Sequence, residues 1–144
     1  MDRLVADICR WFDLYVEAFL GHGPYVEANI RCKQVHCHRA ALMVRLGRQL
    51  GLEVGLIPVA RLAGLLHDVG RFEQFASYRT FMDAHSINHG RLGVEVLRRY
   101  GVLSRLDRHA SHTILTAVRY HNWPPDTHRP IRTGLPYHPY GQGL

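Results

Sequence analysis

Residues Val59 to His67 read Val-Ala-Arg-Leu-Ala-Gly-Leu-Leu-His, a run that is apolar on almost every side. A helix of that kind has little face to offer water, so it belongs at the centre and other elements must wrap it. Pro58 sits where a first helical turn tolerates it, and Gly70 is the expected stop. The neighbouring patterns supply the wrapping. Leu4, Ile8, Trp11, Phe12, Tyr15 and Phe19 recur at helical spacing over residues 2–20, with Gly21 as terminator. A second helix is expected from Val26 to Leu50, with Ile30, Val35, Leu42 and Leu46 on its stripe and Gly51 after it. From Ile87 to Tyr100, Leu92, Val96 and Leu97 face inward before Gly101. A last helix starts near Ser104 or Ser111, runs to Tyr120 and carries Ile114 and Val118 on one stripe. Residues 71–86 are aromatic without a clean period and read as a loop with room for one helical turn. Neither strand alternation nor an internal repeat is present, so the expected class is all-α.

The chain's 144 residues amount to one domain, and 47% hydrophobic with 21% charged residues is the balance of a globular protein rather than a disordered or fibrous one. The division expected is a helical domain over residues 1–122 and an irregular tail over 123–144, since five of the seven prolines (Pro124, Pro125, Pro130, Pro136 and Pro139) fall in the latter. The longest apolar stretch, Val54 to Leu66, is broken by Pro58 and Arg61 and falls short of the roughly 20 residues a bilayer crossing needs. No membrane contact is expected. Asp2, Arg3, Asp7 and Arg10 interrupt the N-terminal region, which therefore has no secretory-signal pattern. Three cysteines (Cys9, Cys32 and Cys37) are too few for a disulfide framework. These features point to the cytoplasm.

The net charge is +6, and all but one of the basic residues are arginine. Arginine's planar fork suits phosphate, although arginines spread along helix faces ordinarily just solvate a surface. No dense basic block argues for nucleic acid as a partner. Eleven histidines are the more unusual count. His67-Asp68 stands at the mouth of the central apolar helix and offers a nitrogen and an oxygen ligand of the kind Mn²⁺, Fe²⁺, Co²⁺ or Zn²⁺ accepts. Three more histidines extend apolar stripes of other helices: His36 beside Val35, His89 ahead of Leu92 and Val96, and His121 after Ile114 and Val118. One such histidine is ordinarily a core residue bonded to a carbonyl. Four together would make an unfavourable core unless they converge on a positive ion, because buried polar groups need partners. A metal centre inside the bundle is the simplest explanation.

In order along the chain, His36, the pair His67-Asp68 in Leu-Leu-His-Asp-Val-Gly-Arg, His89 in Asn-His-Gly-Arg-Leu-Gly, and His121 in Arg-Tyr-His-Asn resemble the motifs of the HD-domain superfamily of metal-dependent phosphohydrolases. The likeness covers about residues 10–122. It includes the stretches from Ile30 to Arg39 and from Gly70 to Gln74, and then Tyr78, Thr80, Phe81 and Asp83, which are similar to a bacterial subgroup of mostly unassigned substrate. The resemblance implies a compact bundle of five or more helices with the metal site between them. It implies His36, His67 and Asp68 as ligands of a first divalent ion, and His89 with His121 as ligands of a second, Asp68 bridging. One or two ions of Mn, Fe, Co, Ni, Zn or Mg would acidify a water that attacks a small phosphorylated substrate such as a nucleotide. Lys33, Arg39 and Arg71 lie within a turn of these ligands and are candidates for holding the phosphate, with salt-bridged surface roles as the alternative. Asp68 and Glu73 are the candidate catalytic carboxylates, Glu73 as an activator of water or, more plainly, as a solvated loop residue.

The chain departs from the superfamily in one respect. A further aspartate ligand is normally presented well downstream of the position matched by His121, and here only Asp126 follows, inside the proline-rich tail. A truncated domain is the expectation, with apolar surface left uncovered that would favour a homodimer. The competing functional reading is a degenerate HD domain that binds metal or nucleotide without turnover. A third reading, a structural zinc site on Cys32, His36, Cys37 and His38, suffers from poor spacing. His22, His38, His85, His109, His112, His128 and His138 are expected on the surface. Neither the Gly-Tyr-Pro motif of cyclic dinucleotide phosphodiesterases nor the acidic run of alarmone hydrolases is present.

Overall fold

The computed structural model describes residues 1–49 and 51–123. Asp126, His128, His138 and the tail expected over 123–144 thus lie outside the described residues, apart from Trp123. Among the described residues all regular structure is helical: α1 (Asp2–Glu17), α2 (Pro24–Gln49), α3 (Ile57–Leu66), α4 (Gly70–Tyr78), α5 (His89–Arg99) and α6 (Arg108–Tyr120). Single 3-10 turns at Val54–Leu56 and Asp83–His85 lead into α3 and towards α5. No helix is long and apolar enough to cross a membrane, among the described residues.

The apolar run is the hub. Helix α3 packs against α1, α2 and α6, while α4 and α5 pair with each other and lean on α2 and α6 respectively. Leu62, Leu65 and Leu66 are fully buried, meeting Phe12 and Val16 of α1, Ile30 and Cys37 of α2, and Ile114 and Val118 of α6 in one core. Fully burying a large apolar side chain contributes about 1.5–3 kcal/mol, so this shared centre is what holds the ligand-bearing helix ends together. Asn88 and Asp107 cap α5 and α6, their side chains accepting the backbone N–H groups of Arg91 and Ala110.

Three sequence expectations fail in ways that matter for the site. Residues 70–78 form a full helix rather than a loop; its inward face mixes Phe72 and Phe75 with Gln74, and a polar residue on a buried stripe hides the period. Gly70 is not a stop. Its φ is not left-handed, and it lies where a Cβ would run into the backbone of His89 and stand 2.6 Å from the nitrogen of Gly93, so glycine lets α4 close onto α5. Gly90 does the same for α5 and α6, where a Cβ would meet the Arg119 carbonyl oxygen at 2.6 Å. On α2 only Ile30 of the expected stripe faces inward: Val35, Leu42 and Leu46 are 50%, 51% and 45% exposed, whereas Val26, Ile30, Cys37 and Ala41 are buried. Lys33, Gln34 and His38 occupy the half-buried side of α2 and bond to carboxylates of α1 and of the segment after α3. Polar residues placed inward reverse the apparent amphipathicity.

Candidate metal centre

His67 is the C-cap of α3 and His121 the C-cap of α6. His89 opens α5, and His36 projects from the middle of α2. The rings are oriented by what their Nδ1 atoms meet. His67 Nδ1 donates to the Gly64 carbonyl at 2.7 Å, His121 Nδ1 to the Val118 carbonyl at 2.9 Å, and His89 Nδ1 to both carboxylate oxygens of Asp83 at 2.8 Å. With Nδ1 committed as a donor, a neutral ring presents a bare lone pair at Nε2.

Those lone pairs converge. His36 Nε2 and His67 Nε2 are 3.1 Å apart, and His89 Nε2 and His121 Nε2 are 2.9 Å apart. Between the pairs lies Asp68, a buried carboxylate. Its Oδ2 faces His67 at 3.5 Å and His36 at 3.6 Å, and its Oδ1 faces His89 and His121 at 3.3 Å each. Two three-residue groups result, His36/His67/Asp68 and Asp68/His89/His121, within each of which the donor atoms lie no more than 4.8 Å from one another.

Metal–nitrogen and metal–oxygen bonds of about 2.0–2.2 Å place neighbouring ligand atoms about 2.8–3.6 Å apart at octahedral to tetrahedral angles, and the measured spacings fall there. Lone pairs facing at 2.9 Å repel unless a cation lies between them. A shared proton answers one such pair; two pairs astride one carboxylate fit divalent ions.

Electrostatics separate the imidazoles. Burial, only partly offset by the Gly64 carbonyl and Asp68, holds the His67 pKa below its ordinary value, and burial likewise lowers that of His89 against the pull of Asp83. Both rings are therefore neutral and ligand-competent at physiological pH. Burial would raise the Asp68 pKa, but His121, His67 and Lys33 outweigh it and hold the carboxyl well below the usual range. His121 is also desolvated, and there Asp68 and the Val118 carbonyl prevail and raise it.

The basic candidates separate. Lys33 Nζ lies 3.0 Å from Asp68 Oδ2 and 5.2 Å over the ring of Phe81. Arg71 Nη1 is bracketed by Gln74 Oε1, Asp83 Oδ1 and the Phe81 carbonyl. Its buried Nε has no hydrogen-bond partner among the described residues and stands 3.4 Å from Asp68 Oδ1. Arg39 is exposed and stands farther out, lining with Arg31, Cys32, Val35 and His36 a groove of about 410 Å³ that opens beside His36. Glu73 is not brought to either ligand group. It bonds Arg99 Nη1 of α5 at 2.8 Å and ties α4 to α5.

Among the described residues no cysteine joins a ligand group, and Cys37 is buried in the core, so the zinc reading on Cys32 and Cys37 finds no geometry behind it. His38 is not a free surface residue but bonds Asp13 at 2.8 Å, whereas His22, His85, His109 and His112 are exposed. Sequence reasoning gave no role to Asp83 or Gln74. The available signal was an acid six residues ahead of a candidate ligand histidine, joined by a glutamine on a buried helix stripe.

An all-helical bundle with histidines and one aspartate converging from separate helices defines a class of proteins built to hold divalent cations. The HD domain family model matches residues 36–141. The chain belongs to the HD domain family, whose members are generally hydrolases. The matched range contains all five expected ligands and extends past the expected boundary at residue 122. No curated protein and no solved structure matches the chain.

Proposed function

We propose that the protein is a metal-dependent phosphohydrolase acting on a nucleotide or another small phosphate ester. One observation carries this reading: each oxygen of the buried Asp68 carboxylate faces its own pair of imidazoles. That is the disposition a carboxylate needs to bridge two ions. His36, His67 and Asp68 would hold the first, and Asp68, His89 and His121 the second. The chemistry such ions supply is a water acidic enough to be a nucleophile near neutral pH, together with stabilisation of charge on phosphoryl oxygens.

The remaining work falls to this chain's own side chains. Lys33 and Arg71 stand at the two oxygens of Asp68, so their positive charge is placed where a phosphate would arrive, and Arg71 has an N–H left to donate. Arg39 is positioned to meet the substrate farther along the groove beside His36. Glu73 is bonded to Arg99 outside both ligand groups; Asp68 is the carboxylate on which activity depends.

Purified protein loaded with Mn²⁺, Co²⁺ or Ni²⁺ is expected to hydrolyse nucleotides or a generic phosphodiester, and Asp68→Ala to abolish the turnover. Bound metal with no turnover on any of these would instead select the degenerate, binding-only domain. Absence of bound metal would end the enzymatic reading and leave the degenerate domain.

A further inference from the structure

Asp83 sits in the 3-10 turn between α4 and α5, outside both ligand groups, yet more of the site's hydrogen bonds end on it than on any proposed ligand. Its carboxylate accepts from His89 Nδ1 with both oxygens, from Arg71 Nη1 at 3.0 Å and from Gln74 Nε2 at 2.9 Å, and more weakly from Asn88 and Asn122 at 3.4 and 3.3 Å. Gln74 is fully buried and also bonds Ser86 Oγ and the Ile87 carbonyl, so the turn carrying Asp83 is itself held fast. His89 is 1% exposed and has no other acceptor for its Nδ1 proton among the described residues.

We infer that Asp83 is the positioning residue of the centre: by holding the Nδ1 proton of His89 it keeps the ring in the tautomer whose bare Nε2 points at Asp68 and His121, and through Arg71 it sets the phosphate-facing guanidinium. An imidazole free to choose its tautomer would spend part of its time with Nε2 protonated, unable to bind a cation. A carboxylate acceptor also raises the basicity of the ligating nitrogen. The inference rests on the metal-centre reading for its consequence, but not for its geometry.

The test uses Asp83→Ala and Asp83→Asn in the full chain, with circular dichroism to establish folding. Long-range ¹H–¹⁵N spectra of metal-free protein are expected to show His89 protonated at Nδ1 in the wild type and to show substantial Nε2 protonation in Asp83→Ala. Calorimetric titration with Mn²⁺ is expected to give two binding steps in the wild type. One of them should weaken by about 10–100-fold in Asp83→Ala, and the other should be kept. Asp83→Asn, which retains one acceptor oxygen, should keep the Nδ1 tautomer and fall between the two. If Asp83→Ala does not fold, Asp83→Asn carries the comparison, and a wild-type affinity in it overturns the inference. A folded Asp83→Ala with the wild-type tautomer and both wild-type affinities overturns it too. A wild type that binds no Mn²⁺ but loses its His89 tautomer on substitution would sink the metal-centre reading while sustaining the role of Asp83.

Discussion

Lys33 and Asp68 show at the scale of single residues how charge is balanced around this site. An ammonium 3.0 Å from the oxygen that would ligate the first ion compensates the carboxylate and, by the same proximity, repels a divalent cation. Lys33→Met should therefore tighten metal binding at the His36/His67 side by a few-fold in a calorimetric titration. The same variant should raise KM several-fold if Lys33 makes the proposed phosphate contact. Cys37 offers a second residue-scale expectation. Burial, reinforced by the negative charge of Asp68, pushes its thiol up to about 12. It should stay unmodified by iodoacetamide at pH 8, while the exposed Cys32 reacts. The sign for stability follows: the unfolded thiol ionises from about pH 8.5 upward while the folded one stays protonated, so this residue's contribution falls as pH rises above that value.

Elements bring these residues together only where their backbones come close enough. At Gly90 a Cβ would stand 2.6 Å from the Arg119 carbonyl and 3.0 Å from that of Val118. Gly90→Ala should force α5 and α6 apart, lowering stability by about 1–3 kcal/mol in a denaturant titration and weakening metal binding by the His89/His121 pair that those helices carry. Element identity was legible where the buried face is purely apolar: α1, α3, α5 and α6 follow their stripes, and His121 falls three residues after Val118 as the period requires. It was not legible in α4, and in α2 the helix was legible but its inward face was not. There the inward faces include Lys33, Gln34, His38 and Gln74, each bonded to a carboxylate that another element supplies. A pattern rule that equates inward with apolar has no way to see those acceptors.

For the molecule as a whole, a centre assembled from four helices exists only in the folded state, so binding and folding are linked. Mn²⁺ at 100 times its dissociation constant should add about 2.7 kcal/mol, seen as a rise in Tm that EDTA reverses. His67→Ala should abolish most of that rise. The asymmetry of the two ligand groups belongs to this scale too: His89 lies in the interior while the His36 side chain is 55% exposed.

Which residue types could bind a cation, and in what order they occur, was determined by the sequence alone, because ligand chemistry resides in side chains and family motifs are read along the chain. The all-α class followed equally from local periodicity. That Asp68 turns one oxygen to each imidazole pair, that Asp83 governs His89, and that Glu73 is drawn away to Arg99 were decided by tertiary structure. Such relations depend on the orientation of a side chain relative to a partner distant in sequence, and only the packing of α2 and α6 against α3, and of α4 and α5 against α2 and α6, fixes that orientation.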